Sequence, residues 1–375
     1  MKTEDRLLLV SHIFYLASCA IHGRKAEMER IQTMDLPRVL GMAKWNSLEA
    51  IVSMALEEAG LKSEETAAAI GNSQRRSLLM DLETAQILGK LEEAGIPHAP
   101  LKGMVLKSCY PRLGMREMSD CDILFDPSRA EDVRQMMGNL GFQTIKFNRG
   151  TTDVYFKEPV INIEMHRSLF YPHREQLYAY YKDPLARMVR QKDSCRFAFS
   201  PEDFYVYLLA HAYKHYSLAG TGLRILADVY VYRHLGGHKL DDAYLETECA
   251  KIELGDFPSL VKSTSEKLFA GENFTEEEKD FLIYLLESGS YGTMKHRVAK
   301  IVSENGGGFK GKLNYIRTRL FMPSDVIKVS FPFFYKHKWL YPFLPLYRVC
   351  RNMKKARYEL AMVLGIKEGK NQSEE

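Results

Sequence analysis

The chain has 375 residues, 46% of them apolar and 27% charged, with a formal net charge of +4. The apolar fraction excludes a disordered tail, and 25 Gly with 14 Pro exclude a collagen-like or low-complexity chain. The near balance of charge excludes a polycation built for DNA, and the length allows two or three domains at ~100–200 residues each.

Residues 1–94 read as helices. Leu7, Val10, Phe14, Ala17 and Ile21 recur at three- and four-residue steps, the pattern of a helix burying one face. The same run, residues 7–21, is the best candidate for a membrane span, but it is too short to cross a bilayer and carries Ser11 and His12. Its LASC, residues 16–19, has the shape of a lipoprotein cleavage box. Glu4 and Asp5 spoil the positive segment that such a box needs, and an amphipathic first helix is the preferred reading. A second helix is expected over 36–60, ended by Gly60, and a third over 63–94 with a break near Gly71.

The pattern changes at Ile96. IPHAPLKG is strand-like and ends in glycine, MVLKSCY is helical up to Pro111, and DCDILFD (120–126) is a buried strand. A helix capped by Ser128 and closed by Gly141 follows, then three strand-like runs, FQTIKFN, TTDVYFK and PVINIEMHRSLF. The order is β-α-β-α-β-β-β. SPED at 200–203 opens a helix with Ser200 as its cap and Pro201 in its first turn. Helical segments continue to about residue 305, NGGGFKGK forms a joint, and a tail rich in aromatic and basic residues follows.

Asp120 and Asp122 alternate on a strand, so both carboxylates face one way. Two carboxylates side by side repel unless a cation sits between them, and Mg²⁺ takes oxygen ligands while leaving positions for phosphate oxygens. Upstream, Lys102 and Gly103 end a strand and open a helix, where a glycine backbone and a lysine charge can approach phosphate. Arg116 lies in the loop above the same strand end, and Ser119 directly precedes the carboxylates. On the later strand Ile161, Ile163 and Met165 share one face and Asn162, Glu164 and His166 the other. Glu164 is therefore a candidate third carboxylate, and three carboxylates can hold two metals about 3.5–4 Å apart.

LKGMVLKSCYPRLGMREMSDCDILF followed by VINIEMHRSLF resembles a bacterial family of uncharacterised nucleotidyltransferases within the DNA polymerase beta-like superfamily. The helical LLAHAYKHYSLAGTGLRILADVYVY and the aromatic tail FMPSDVIKVSFPFFYKHKWLYPFLP are also similar to it. Two positions depart: Met104 follows Gly103 where the superfamily commonly has serine, and Glu164 stands where Asp is frequent.

The resemblance implies an α+β fold, a small mixed-sheet nucleotidyltransferase core over 95–199. It is flanked by helical regions over 1–94 and 200–305, with a basic aromatic tail over 306–375 packed on the core. It implies transfer of an NMP group from an NTP, ATP foremost, to an unidentified hydroxyl. Asp120, Asp122 and Glu164 would hold Mg²⁺ or Mn²⁺, and Lys102, Gly103, Arg116 and Ser119 the phosphates.

His211 and His215 lie at i, i+4 on one helix. They read as zinc ligands with His166 or Asp228, as polar groups lining the floor of the nucleotide site, or as packing histidines. Arg224 and Asp228, also i, i+4, read as a structural ion pair. A catalytically inactive protein on the same fold and a metal hydrolase using these histidines are the alternative functions.

Residues 309–358 carry about a dozen Lys or Arg and one acidic residue, Asp325. A nucleic-acid or membrane surface is open to this tail, but an arm packing its rings and wetting its charges is preferred. Six cysteines at 19, 109, 121, 195, 249 and 350 form no CxxC pair, so reduced thiols in a cytoplasmic protein without a membrane span are expected.

Overall fold

The computed structural model describes residues 2–290, 292–322, 324–351 and 353. It has two compact units, Met1–Tyr213 with Thr221–Ser290, and Lys214–Gly220 with Tyr291–Glu375. Within the first unit lie an N-terminal set of helices, a five-stranded mixed sheet and a second set of helices. This is the α+β architecture expected from the sequence.

The first helix, Thr3–Ile21, buries Val10, Ile13, Phe14, Leu16 and Ala17, and Cys19 of the LASC run is buried with them. One helix was expected over 36–60, but there are two, Leu36–Trp45 and Glu49–Glu58. The break is at Asn46, whose buried side chain is shared among separate segments. Its Nδ2 donates to the carbonyls of Met42 (3.0 Å) and Leu286 (3.3 Å), and its Oδ1 accepts from the Leu223 amide (2.8 Å). Ser47 takes a left-handed φ of 53° to complete the corner.

The expected break near Gly71 is absent: Glu64–Glu93 is continuous, opened by a reciprocal cap between Ser63 and Thr66. Asp126, rather than Ser128, caps the turn into helix Ala130–Asn139 by accepting from the Ser128 amide.

The strands of the five-stranded sheet are β1 (His98–Pro100), β2 (Cys121–Phe125), β3 (Gln143–Lys146), β4 (Thr152–Lys157) and β5 (Ile161–His166). Their order across the sheet is β1-β2-β5-β4-β3. β2 and β5 are parallel and the other neighbours antiparallel. The parallel pair sets Cys121 against Ile163, Asp122 against Glu164 and Ile123 against Met165. Cys121, Ile123, Ile163 and Met165 turn one way, into a core with Met80, Ile87 and Leu91 of the long helix and Val133 and Met137 of the next. Burial of that apolar face, worth about 1.5–3 kcal/mol for each large side chain, fixes the register. It thereby sends Asp122 and Glu164 to the opposite face.

Helix Pro201–Tyr216 starts as expected, with Ser200 Oγ accepting from the Asp203 amide at 3.0 Å. Helix Arg224–Leu235 follows. In the second unit, helices Met294–Glu304 and Gly308–Leu320 pack through Val298, Ile301 and Tyr315. Short helices continue to Arg351. Residues 354–375 of the expected basic tail lie outside the described residues.

Candidate active site

Strand β1 runs antiparallel to β2, and the Leu101 amide donates to the Asp122 carbonyl at 2.9 Å. That bond holds the β1 exit beside the start of β2. Lys102 follows with φ 45° and ψ −117°, an uncommon conformation for a residue with a Cβ. Its side chain returns to the sheet, where Nζ donates to Asp122 Oδ1 at 2.6 Å.

The same oxygen lies 2.6 Å from His166 Nε2. Burial alone would raise the Asp122 carboxyl, but Lys102 and His166 outweigh it and hold it well below the usual aspartate range. The carboxylate is ionised, so the short contact puts a proton on His166 Nε2. The other ring nitrogen lies 3.4 Å from Thr152 Oγ1, on the residue paired with His166 across β4 and β5. Lys102 is the reciprocal case: burial would lower its ammonium, and Asp122 lifts it above the ordinary lysine range.

Glu164 is partly exposed, with Oε2 3.5 Å from His166 Nε2. Burial, then the charge of Asp122, raises its carboxyl above the usual range. Asp122 is only 3% exposed, so the pair combines one committed carboxylate with one that has room to bind. Among the described residues, Asp122, Glu164 and His166 form the one group of acidic, His or Cys side chains able to hold a metal, with ligand atoms all within 4.8 Å.

The donor chemistry fits a divalent cation. Two carboxylate oxygens suit Mg²⁺ or Mn²⁺, and an imidazole nitrogen adds preference for a transition metal. A metal and the Asp122 hydrogen bond are alternative uses of His166 Nε2.

Asp120 sits one residue before β2 rather than on it, and its Oδ1 accepts from Ser119 Oγ at 2.9 Å. It is outside the 4.8 Å group, although its charge acts on both Lys102 and Glu164.

Arg116 is committed elsewhere. Its Nε and Nη2 donate to Asp228 Oδ1 and Oδ2 at 2.8 and 3.0 Å, and Tyr110 Oη donates to Oδ1 at 2.9 Å. All three residues are buried. Gly103 is small for the sake of this bridge: a Cβ there would meet Arg116 Nη1 at 2.6 Å and Met118 Cε at 2.9 Å.

The expected Arg224–Asp228 pair is a looser contact of 4.0 Å, and Arg224 Nη1 donates to the Glu117 carbonyl at 3.1 Å. Asp228, His211 and His215 are not in the metal group. The His211 ring lies 6.2 Å from that of Tyr207, and the His215 carbonyl closes the helix end by accepting from the Ala219 and Gly220 amides.

A model of a family described as an uncharacterised nucleotidyltransferase matches residues 32–270. The chain belongs to that family. No curated protein and no solved structure matches it. The stretch shared with the nucleotidyltransferase family contains Lys102, Asp122, Glu164, His166 and the Arg116–Asp228 bridge, and it ends before the second unit's helices at 294–351.

Two residues of this candidate site escape sequence reasoning. Tyr207 is buried and interacts electrostatically with Lys102, Asp122 and Glu164, and burial pushes its phenol well above its ordinary range. It precedes His211 by four residues, so the helical spacing that singled out His211 also points to it. Thr152 was hidden because its role depends on the β4–β5 register.

Proposed function

We propose that the chain is a metal-dependent nucleotidyltransferase that moves an NMP group from an NTP to an acceptor hydroxyl with release of pyrophosphate. The observation that carries this reading is the parallel register of Asp122 and Glu164 beside the Lys102 ammonium. It puts two carboxylates, an imidazole and a cation on one sheet face within a nucleotidyltransferase family.

In this reading Asp122, Glu164 and His166 hold Mg²⁺ or Mn²⁺, with Asp120 adding negative charge at the rim. A bound divalent cation supplies charge neutralisation for a triphosphate and its leaving group. Lys102 adds a fixed positive charge for the phosphates, with the Gly103 backbone and Ser119 beside it. Glu164, whose carboxyl is raised, is the group suited to accept a proton from the acceptor hydroxyl. Arg116 serves by bracing Gly103 and Asp228 rather than by touching phosphate.

The catalytic part is assigned to residues 95–199 and an acceptor wall to the helical region 200–305 through Tyr207 and His211. The nucleotide is assigned as ATP and the compartment as the cytoplasm. The first two assignments are supported by the family and by the placement of Tyr207 and His211; ATP rests on the sequence resemblance alone, and the compartment on the six free thiols.

A second reading, a non-catalytic nucleotide-binding protein, is favoured by one observation: Lys102 and His166 together already neutralise Asp122. Incubation with α-labelled nucleotides, Mg²⁺ or Mn²⁺ and cell extract separates the two. Label transfer lost in Asp122→Asn supports the enzyme. Nucleotide binding without transfer, unchanged in Asp122→Asn, supports the second reading.

A further inference from the structure

The second unit carries an apolar surface that the nucleotidyltransferase reading does not use. On helix Gly308–Leu320, Phe309 and Leu313 share a face one turn apart and are 82% and 57% exposed. Near the C-terminal end Leu346, Val349 and Met353 follow at three- and four-residue steps, all exposed. Trp339, between these helices, is 73% exposed. Some neighbouring rings satisfy one another, Phe331 with Phe334 and Phe334 with Tyr347, but these six side chains remain open.

Basic side chains punctuate the same segments: Lys310, Arg317, Lys336, Lys338 and Arg351 are exposed among them. Across 309–358 the sequence has twelve Lys or Arg against one Asp. Among the described residues no helix is long and apolar enough to cross a membrane.

We propose that this arm docks on the surface of an anionic lipid bilayer. Exposed aliphatic side chains on one helix face insert at the acyl boundary, an exposed tryptophan suits the headgroup level, and the surrounding lysines and arginines match anionic lipid. A nucleic acid would use the charges and rings but has no use for exposed Leu346, Val349 and Met353, because aliphatic chains do not stack on bases.

The test is flotation of the full chain with vesicles of phosphatidylcholine alone and of phosphatidylcholine with phosphatidylglycerol, beside binding to a single-stranded RNA homopolymer. The protein floats with the anionic vesicles only, and salt weakens the association. Its tryptophan emission shifts to the blue on mixing, and the shift is lost in Trp339→Phe. Lys336→Glu with Lys338→Glu, both exposed and so leaving the circular dichroism unchanged, lowers the partition coefficient at least about tenfold. Equal flotation with neutral vesicles, no flotation, a blue shift that survives Trp339→Phe, or RNA binding without vesicle binding overturns the proposal.

Discussion

Asp122 Oδ1 accepts from Lys102 Nζ and faces His166 Nε2, each at 2.6 Å. One buried carboxylate oxygen thus joins the exit of β1 to the end of β5. Replacing Asp122 by Asn leaves a partly buried ammonium without its counter-charge. Loss of one partner of a buried pair costs about 3–5 kcal/mol, and because Lys102 keeps some water contact the lower end is expected. Urea denaturation of Asp122→Asn measures it.

The sign of the pH dependence follows from the same pair. The Asp122 carboxyl is depressed in the fold. Its contribution is complete above the ordinary aspartate range, near 3.9, and is lost as pH falls through the lower folded value. Stability of the wild type therefore drops on acidification below about pH 4, and Asp122→Asn shows a shallower acid limb in the same titration.

Glu164 behaves in the opposite sense. Its carboxyl is raised by burial and by Asp122, so its ionisation costs stability once the pH passes the ordinary glutamate range. Glu164→Gln raises the melting temperature at neutral pH while abolishing nucleotidyl transfer. This is the trade expected of a group kept for function. A variant that is no more stable than wild type contradicts the electrostatic account.

Divalent cations should stabilise the protein by mass action on the folded state. The imidazole in the donor set predicts a larger rise in melting temperature with Mn²⁺ than with Mg²⁺. His166→Gln removes that difference, and Asp122→Asn with Glu164→Gln removes the response to both ions in a thermal shift titration.

The Arg116–Asp228 bridge is a structural prediction independent of catalysis. Arg116→Ala strands a buried carboxylate and costs about 3–5 kcal/mol. Arg116→Lys rescues poorly, because an ammonium cannot reproduce the bidentate geometry. Gly103→Ala crowds the same guanidinium at 2.6 Å and costs about 1–3 kcal/mol. Because the two positions touch, denaturation of the double variant shows non-additive losses.

The sheet was legible because its strands alternate or run apolar between glycines and prolines, and the order of elements from β1 to β5 follows from local pattern alone. Glu164 and His166 were legible as polar interruptions of an apolar strand. The parallel pairing of β2 with β5, which makes Asp122 a partner of Glu164, is a long-range fact with no local signal. Arg116 looked free for phosphate because its partner, Asp228, is 112 positions away. Asn46 hid a helix break for the same reason: the chain turns there to meet Leu223 and Leu286. Asp122, Glu164 and Arg116 were read correctly as polar and tertiary pairing decided their use, whereas the helix expected over 36–60 ran straight through Asn46.

The main-chain bond from the Leu101 amide to the Asp122 carbonyl has a kinetic consequence. It ties β1 to β2 directly beside the charge pair, so β1 cannot slide along β2 without breaking this bond and drawing the lysine away from the aspartate. With that bond kept, Lys102 can leave Asp122 only by turning its own side chain. Such rotations take picoseconds to nanoseconds where the group reaches solvent. At Lys102 the rotation must also break the largely buried contact with Asp122, so it is slower than at an open surface, but it requires no movement of a strand or domain.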